Sequence, residues 1–114
     1  MKSIPYVFTT TVIPFDKVEE AGKAYVKEVK EFRRSARKLG KELISNAVRA
    51  ADDGIESIGV WDIQEGKVGE FFALQQKGMI PYHKIDGIKY RIEVRLKITE
   101  ALELLGMTAP EKDE

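Results

Sequence analysis

Two short stretches carry the side chains best suited to acid–base chemistry. His83, the only histidine of the chain, follows Tyr82, and Asp62 follows the only tryptophan, Trp61. An imidazole ionises near neutral pH, so it can act as a general acid or base when a substrate lies within hydrogen-bond reach. We take His83 and Asp62 as candidate catalytic residues and Tyr82 as a candidate ligand contact. The alternative is that His83 is an ordinary surface residue of a loop.

Several other chemistries lack the residues that they need. The chain has no cysteine, which excludes zinc–thiolate, iron–sulfur and redox-dithiol centres, and one histidine cannot build a multi-histidine metal site. The glycines match neither the GxGxxG pattern nor the phosphate-binding loop. Asp52, Asp53 and Glu56 could offer oxygen ligands to a cation, but this grouping is typical of a solvated hairpin turn. We therefore expect no metal and no tightly bound cofactor.

The charged residues are balanced and include one basic cluster. The 114 residues contain 19 basic and 19 acidic side chains, so the net charge is zero. The basic cluster consists of Arg33, Arg34, Arg37, Lys38 and Lys41. It could attract nucleic-acid phosphates, but no stacking aromatic residues are interleaved with it, and it equally fits a solvated helix end. Nucleic-acid binding is an alternative that we do not favour.

Composition also bears on where the protein works. No apolar run approaches the ~18 residues of a membrane-spanning helix, and the first residues do not resemble a signal peptide. We therefore expect a soluble, cytoplasmic protein with no membrane partner. Amides are few and cysteine is absent, whereas Lys and Glu are common, which is typical of proteins from hot environments. An ordinary soluble domain with charged helices is the alternative.

Three segments have the β-branched and aromatic content of strands. Ile4–Ile13 ends at Pro14, and Ile55–Ile63 follows the turn-forming pair Asp53–Gly54. Ile88–Ile98 alternates apolar and charged residues, which predicts a strand with one buried and one solvated face. We expect all three to join one sheet.

The first predicted helix lies between the first two strands. Its apolar residues recur at helical spacing from Val18 to Leu39. Asp16 and Glu19 form a capping-box-like start, and Gly40 stands where a glycine commonly closes a helix.

Two further helices are predicted near the C-terminus. One begins near Val68 and stops at Gly78, with a proline beyond it. Thr99 is expected to cap a short helix, Glu100–Leu105. The expected helices therefore follow the first strand, the third strand and the last strand.

Residues Lys41–Ala51 are ambiguous between helix and strand. They could extend the first helix, but a helix of about 55 Å, at 1.5 Å per residue, is too long for a compact domain of this size. The pair Asp53–Gly54 that follows is a strong hairpin signal, so a strand over Glu42–Ala51 is favoured.

The resulting order is strand, helix, strand, strand, helix, strand. Two strand-to-helix junctions fifty residues apart share the matched pairs Ile13/Ile63, Lys17/Lys67 and Val18/Val68. Two such halves predict the fold class α+β, a ferredoxin-like β-α-β-β-α-β sandwich in which both helices cover one face of an antiparallel sheet, followed by a short C-terminal helix. We expect residues 1–106 to form this single domain and residues 107–114 to form a polar, disordered tail.

The stretch Ile55–Leu74, IESIGVWDIQEGKVGEFFAL, resembles a strand–EGK–helix junction. This junction occurs in the dimeric α+β-barrel group of ferredoxin-like proteins, which includes antibiotic-biosynthesis-type monooxygenases and many uncharacterised small archaeal and bacterial proteins. Haem-degrading and some cofactor-free members use an asparagine on the first strand, a tryptophan on the third and a histidine near the second helix. The resemblance implies these roles for Trp61 and, more loosely, His83. The first strand here has threonines instead of the asparagine, and Asn46 lies on another strand.

The two helices leave one face of the sheet open to water, a ligand or a second sheet. Alignment of the two junctions places Phe8, Thr10, Val12, Ile58 and Val60 toward the helices. The open face then carries Val7, Thr9, Thr11, Ser57, Gly59 and Trp61, flanked by Arg91, Glu93 and Arg95. A register shift of one residue would exchange the two sets.

An open face with small polar residues and one tryptophan fits partial burial against another subunit around a small-molecule cavity. We expect a small oligomeric domain of unknown function, a homodimer or higher oligomer through the sheet face. The expected ligand contacts are Thr9, Thr11, Trp61, Tyr82, Arg91 and Arg95. The alternatives are a cofactor-free oxygenase or isomerase acting in that cavity, a nucleic-acid-binding domain acting through Arg33–Lys41, and a monomer with a solvated sheet face.

Overall fold

The chain alternates strands and helices in the predicted order. The computed structural model describes residues 5–108. Its strands are β1 (Tyr6–Ile13), β2 (Gly40–Ala51), β3 (Gly54–Ile63) and β4 (Lys89–Arg95). Its α-helices are α1 (Val18–Glu28), α2 (Arg34–Arg37), α3 (Val68–Met79) and α4 (Ile98–Leu104). Short 3-10 turns occupy Phe15–Lys17 and Ile80–Lys84, and a π-helical turn, Val29–Arg33, joins α1 to α2.

The four strands form one antiparallel sheet in the order β2-β3-β1-β4. The central strands β1 and β3 come from different β-α-β halves, and α1 and α3 lie over the same face of the sheet. This arrangement confirms the predicted α+β, ferredoxin-like fold. Ile4, the expected first residue of β1, and residues 109–114 of the expected tail lie outside the described residues.

The ambiguous stretch after the first helix is a strand. β2 pairs with β3 through the turn at Asp52–Asp53, as the hairpin signal predicted. The ladder shifts register twice, between Glu42 and Ile44 and between Ile44 and Ala47. Bulges of this kind bend a strand and increase its local twist. β2 is therefore a long, bent strand at the edge of the sheet.

The repeat of the two strand-to-helix junctions is present in the backbone. Lys17 and Lys67 precede α1 and α3 with nearly the same φ and ψ, −114° and 7° against −107° and 4°. Each lysine N–H donates to the carbonyl three residues earlier, at 2.9 Å to Pro14 and 3.0 Å to Gln64. Neither helix start has a side-chain cap, so the predicted capping box at Asp16 is wrong.

The first helix changes geometry where α1 meets the π-helical turn. Such a turn inserts one residue into the helical repeat, so the residues that follow it change face. Arg33, at the end of the turn, is consequently buried, with 8% of its surface exposed. Among residues 5–108, no helix has both the length and the apolar character needed to cross a bilayer.

The faces of β1 and β3 are the reverse of those predicted. Val7 pairs with Trp61, and Trp61 packs on Phe71 of α3 with ring centroids 5.1 Å apart. The helix-facing set is Val7, Thr9, Thr11, Ser57, Gly59 and Trp61, and the open face carries Phe8, Thr10, Val12, Ile58 and Val60. The predicted register was wrong by one residue. Every residue of β1 is β-branched or aromatic, so its sequence has no alternation that fixes the register.

Two predicted boundaries were also wrong. Gly40 begins β2 instead of closing a helix, and a Cβ there would lie 2.6 Å from the carbonyl oxygen of Asp62, which explains the glycine. β4 is shorter than predicted because α4 begins inside the predicted strand. Lys97, not Thr99, is the capping residue of α4, and its backbone N–H donates to the Glu100 carboxylate at 3.3 Å.

Two groups of buried apolar side chains fill the space between the helices and the sheet. The first group is Val7, Ala36, Trp61, Ile63 and Phe71. The second group is Ala21, Met79, Tyr82 and Ile85. Phe71 is completely buried and joins α3 to the helix-facing side of Trp61.

Phe71→Ala should lower the free energy of unfolding by about 3–5 kcal/mol, because it removes a fully buried ring from the contact between α3 and the sheet. Phe15→Ala is the matched control, since the Phe15 side chain is 55% exposed, and its effect should stay within about 0.5 kcal/mol. Urea unfolding followed by Trp61 fluorescence measures both variants. Equal losses for the two variants would contradict this description of the core.

Candidate functional site

A cavity of about 390 Å³ lies between the helices and the sheet. It is on the helix-covered face, not on the open face where the sequence predicted it. The sheet contributes the small residues Thr9, Thr11, Ser57 and Gly59 to its lining. A Cβ on Gly59 would lie 2.8 Å from Oγ1 of Thr9, so glycine keeps this part of the floor open. The small side chains therefore create space that α1 does not fill.

Most of the cavity wall is apolar. Helices α1 and α3 and strands β1, β2 and β3 contribute apolar side chains to this wall, namely Ile13, Val18, Ala21, Val48, Ile55, Trp61 and Met79. Trp61 is 3% exposed and is supported from behind by Phe71. Cavities of about 300–1,000 Å³ with mainly apolar walls are typical of sites for small organic molecules.

A chain of hydrogen bonds along one side of the cavity links α1 to β3. The Tyr25 hydroxyl donates to Oδ1 of Asn46 at 3.1 Å, and Nδ2 of Asn46 donates to Oγ of Ser57 at 2.9 Å. Because its oxygen and its nitrogen are both engaged, the Asn46 amide is held in one orientation. These side chains tie α1 to β2 and β3.

Charged side chains occupy the end of the cavity where α1 passes toward α2. Nη1 of Arg33 donates to Oε2 of Glu42 at 2.5 Å, and the two side chains are 10% and 9% exposed. Nη2 of Arg37 reaches the other oxygen of Glu42 at 3.3 Å from a more exposed position. The Glu42 carboxylate is therefore held between two guanidinium groups.

The π-helical turn explains why an arginine reaches this end. The inward-facing side chains of α1 are Val18, Ala21, Tyr25 and Glu28. An uninterrupted α-helix would next turn Phe32 inward, but the extra residue of the π-helical turn brings Arg33 to the cavity instead. π-helical turns of this kind recur at functional sites.

Glu28 is a charged residue of the cavity whose carboxylate is not hydrogen-bonded to the described residues. Burial raises the pKa of Glu28, the charge of Arg33 lowers it, and the charge of Glu42 raises it again. A Cβ on Gly78 of α3 would lie 3.2 Å from Cγ of Glu28, so the glycine gives this side chain its room.

Tyr82, from the 3-10 turn after α3, lines the same end of the cavity. It is 6% exposed. Burial, followed by the nearby charge of Glu28, raises the pKa of its phenol well above its usual range. Its hydroxyl makes no hydrogen bond to any of residues 5–108. The cavity therefore holds a protonated, buried hydroxyl for which residues 5–108 provide no acceptor.

The structure brings together four of the six predicted ligand contacts, Thr9, Thr11, Trp61 and Tyr82. Arg91 and Arg95 lie on the opposite, open face, where both bond to Glu93, at 3.3 and 3.2 Å. Hydrogen bonds from the two arginines hold the pKa of Glu93 below its usual range. Because the register predicted for β1 and β3 was wrong by one residue, the predicted ligand contacts are divided between the two faces of the sheet.

The two candidate catalytic residues lie away from the cavity lining. His83 is exposed, and its Nε2 is 3.4 Å from the Tyr90 hydroxyl, with the two rings stacked. Asp62 is on the open face and forms an ion pair with Lys97 at 2.9 Å. The structure does not bring His83 and Asp62 together with Trp61.

The sequence analysis missed Tyr25, Glu28 and Asn46 as cavity residues. Glu28 could have been found, because it occupies an inward position of the apolar stripe of α1, three residues after Tyr25. An acidic residue at such a position is unusual in a helix that covers a sheet. Asn46 had no comparable signal, since its face depends on the bulges of β2.

Other parts of the described surface are less suited to binding a ligand. A broad depression of about 730 Å³ lies beside the start of β2, near Arg37, Lys41 and Asp62, but it is shallow and wide open. It cannot enclose a ligand as the inner cavity can. Residues 5–108 contain no group of three or more side chains arranged to hold a metal ion.

No protein-family profile and no curated protein matches the chain. Among solved structures, it is similar to a proposed monooxygenase from Shewanella loihica, with 16% sequence identity and a TM-score of 0.46. The alignment covers 86% of this chain and 97% of that chain. A likeness at this level carries no functional conclusion.

Glu28→Gln should make the stability of the protein less sensitive to pH. The Glu28 carboxyl binds its proton more tightly in the folded protein than in the unfolded chain. Wild-type stability should therefore fall as the pH rises from the ordinary value of 4.5 through the raised pKa of the folded state. The neutral amide has no such proton to lose. The stability of the variant should therefore rise relative to that of the wild type across this pH interval.

Thermal unfolding midpoints measured between about pH 4 and about pH 8 test this expectation. Glu31→Gln is the matched control, because Glu31 is exposed on the π-helical turn, and it should follow the wild type. Parallel pH profiles for wild type and Glu28→Gln would show that the Glu28 carboxyl is not held in the cavity as described.

Proposed function

We propose that the protein binds a small, mainly apolar organic molecule in the cavity between α1 and the sheet. The observation that carries this proposal is the cavity itself, about 390 Å³ in volume and lined by Trp61 and other apolar side chains. Part of the apolar wall is open to water, since Val18 and Val48 are 44% and 62% exposed. A ligand with an apolar body would cover this surface, which is favourable.

The arrangement of the polar groups also fits ligand binding. Tyr25, Asn46 and Ser57 form a fixed hydrogen-bonded chain along one side, and Glu28 and Tyr82 stand at the charged end. Ligand sites commonly combine apolar walls with a few placed polar groups that orient the ligand. We therefore expect a ligand with an apolar body and a polar group at one end.

A cofactor-free enzyme of the isomerase type is the second candidate. The observation that favours it is the pair of polar groups at the charged end, a carboxyl and a phenol whose pKa values are both raised by burial. Perturbed titratable groups that face one cavity are typical of catalytic sites. Glu28 and Tyr82, rather than His83 and Asp62, are the residues through which we expect such an activity.

Nucleic-acid binding is not supported by the placement of the basic cluster. Arg33 is buried and bonded to Glu42, and Arg37 shares the same carboxylate. Two of the cluster's arginines therefore share the single negative charge of Glu42, which reduces the charge available for phosphates.

We also propose that two copies associate through the open sheet face, as the resemblance to the dimeric α+β-barrel group implies. Phe8, Val12 and Ile58 are half-buried on this face, on the side of the sheet opposite α1 and α3. The adjoining strand carries both Arg95 and Glu93, so the face offers charges of both signs. In a two-fold dimer, the same surface of each copy contacts its counterpart on the other copy. A face with apolar residues and charges of both signs fits such an interface, because each charge can meet an opposite one on the other copy.

Thr11→Phe should fill the cavity and weaken the binding of a neutral amphipathic probe, N-phenylnaphthylamine, by about tenfold or more, which corresponds to about 1.4 kcal/mol. Thr11 lines the cavity, whereas Thr108 is exposed beyond α4, so Thr108→Phe is the matched control and should bind like the wild type. Probe fluorescence and quenching of Trp61 report binding. Equal binding by both variants would place the probe elsewhere.

Ile58→Lys should convert a homodimer into a monomer, because it places a charge in the centre of the open face. Val26→Lys, at a residue that is 52% exposed on α1, is the control and should stay dimeric. Light scattering after size-exclusion chromatography should give the wild type twice the 12.9 kDa of one chain. A wild-type mass of one chain at micromolar concentration rules the dimer out.

A further inference from the structure

The charged end of the cavity holds a hydrogen-bond donor and an acceptor that the described residues leave unused. The Tyr82 hydroxyl is buried and has no acceptor, and the Glu28 carboxylate has no donor within residues 5–108. A fully buried polar group such as the Tyr82 hydroxyl is nearly always hydrogen-bonded, because leaving it unsatisfied is costly, and Glu28 is half-buried. A ligand that satisfies both groups would have to present an acceptor to Tyr82 and a hydrogen to Glu28.

The neighbouring charges leave Glu28 able to act on such a ligand. Arg33, the nearest cation, is bonded to Glu42 at 2.5 Å, so its charge is already shared with another carboxylate. Tyr25, one turn before Glu28 on the same helix, is bonded to Asn46 at 3.1 Å. Glu28 therefore faces the cavity with its oxygens uncommitted while its neighbours are fixed.

The position of Glu28 is well defined by packing. Gly78 of α3 lies against the Glu28 side chain, since a Cβ there would come within 3.2 Å of Cγ. Ala21 and Tyr82 belong to one buried cluster, which joins α1 to the 3-10 turn after α3. The two helical segments that carry Glu28 and Tyr82 are thus held together on one side of the cavity.

Building on the proposed binding function, we propose that the ligand is a carbonyl compound with an acidic C–H next to its carbonyl group, and that Glu28 removes this proton while Tyr82 binds the carbonyl oxygen. The C–H bond breaks, its proton passes to a Glu28 oxygen, and its electron pair forms the C=C bond of an enolate. The negative charge moves to the oxygen that accepts the Tyr82 hydrogen bond. Return of the proton to the same or a conjugated carbon regenerates Glu28.

This chemistry matches the environment of the two groups. The step consumes no oxidant, reductant or cofactor, because the proton that leaves is later returned. A carboxylate whose pKa is raised toward neutral pH is a stronger base than an ordinary one. A phenol that stays protonated can donate to an oxygen on which charge develops, and such preorganised donors supply much of the stabilisation in enolisation. The apolar wall around Trp61 would hold the body of the ligand.

β-Tetralone, a ketone with an acidic benzylic methylene between its carbonyl and its benzene ring, is the probe for the test. Proton NMR in heavy water follows the exchange of that methylene for deuterium, and quenching of Trp61 fluorescence follows binding. The wild type should accelerate exchange over buffer, with a rate that rises with pH as Glu28 ionises. Glu28→Gln should lower the protein-dependent rate by about 100-fold or more. Glu31→Gln, the same change at an exposed residue, should leave it unchanged.

Tyr82→Phe separates the second role from binding. It should lower the maximal exchange rate by about 100-fold, a larger factor than the loss in affinity for β-tetralone, because the hydrogen bond strengthens as negative charge develops on the carbonyl oxygen. A variant that affected only folding would instead change binding, rate and the thermal midpoint together. Retention of the wild-type rate in Tyr82→Phe would remove the hydroxyl from the reaction.

The outcomes distinguish this inference from the function on which it rests. If β-tetralone binds and Thr11→Phe abolishes binding, but wild type and Glu28→Gln exchange at the same rate, the proton-transfer inference is overturned and the binding function stands. If neither β-tetralone nor N-phenylnaphthylamine binds in the cavity, the binding function is wrong and the inference falls with it.

Discussion

The pairing of Val7 with Trp61 is the constraint on which the rest of the molecule depends. It sets the faces of both central strands, because neighbouring residues of a strand point to opposite sides. Trp61 then lies against Phe71 beneath α3, and the small residues of β1 and β3 fall beneath α1. One end of the helical layer is consequently packed tightly on the sheet, whereas the other end stands above a floor of small side chains. The cavity is a direct result of this difference.

α1 is held above that floor by contacts near its two ends and by the hydrogen bond from Tyr25 to Asn46 between them. Near its start, Ala21 packs with Met79, and beyond its end Arg33 bonds to Glu42 on β2. The π-helical turn is needed for the second contact, since it brings Arg33 to the inward side. Removing one partner of a buried ion pair leaves the other charge uncompensated, which is far more costly than losing an exposed pair. The cavity and the anchoring of its helical wall are therefore coupled.

The element order and the hairpin after β2 were predictable, because the turn-forming pair Asp53–Gly54 and the repeated junctions are local sequence signals. The face of β1 was not, since its eight residues are all β-branched or aromatic and either register buries apolar surface. Trp61 and Tyr82, two of the predicted ligand contacts, line one cavity, but that cavity lies on the helix-covered side of the sheet and not on the open side. The inward position of Glu28 could be read from its place in the apolar stripe of α1. The inward position of Arg33 could not, because it depends on a π-helical insertion that helical periodicity does not show.

The two register shifts of β2 affect the tendency of the protein to self-associate. β2 is the last strand on its side of the sheet and exposes Leu43, Ile44 and Val48, the kind of apolar border onto which another polypeptide can add. An added chain needs an unbroken row of backbone donors and acceptors, and the ladder shifts after Glu42 and again before Ala47 interrupt that row. Straightening the strand, by deleting one residue at a shift, would therefore be expected to favour fibrillar self-association while leaving the fold intact.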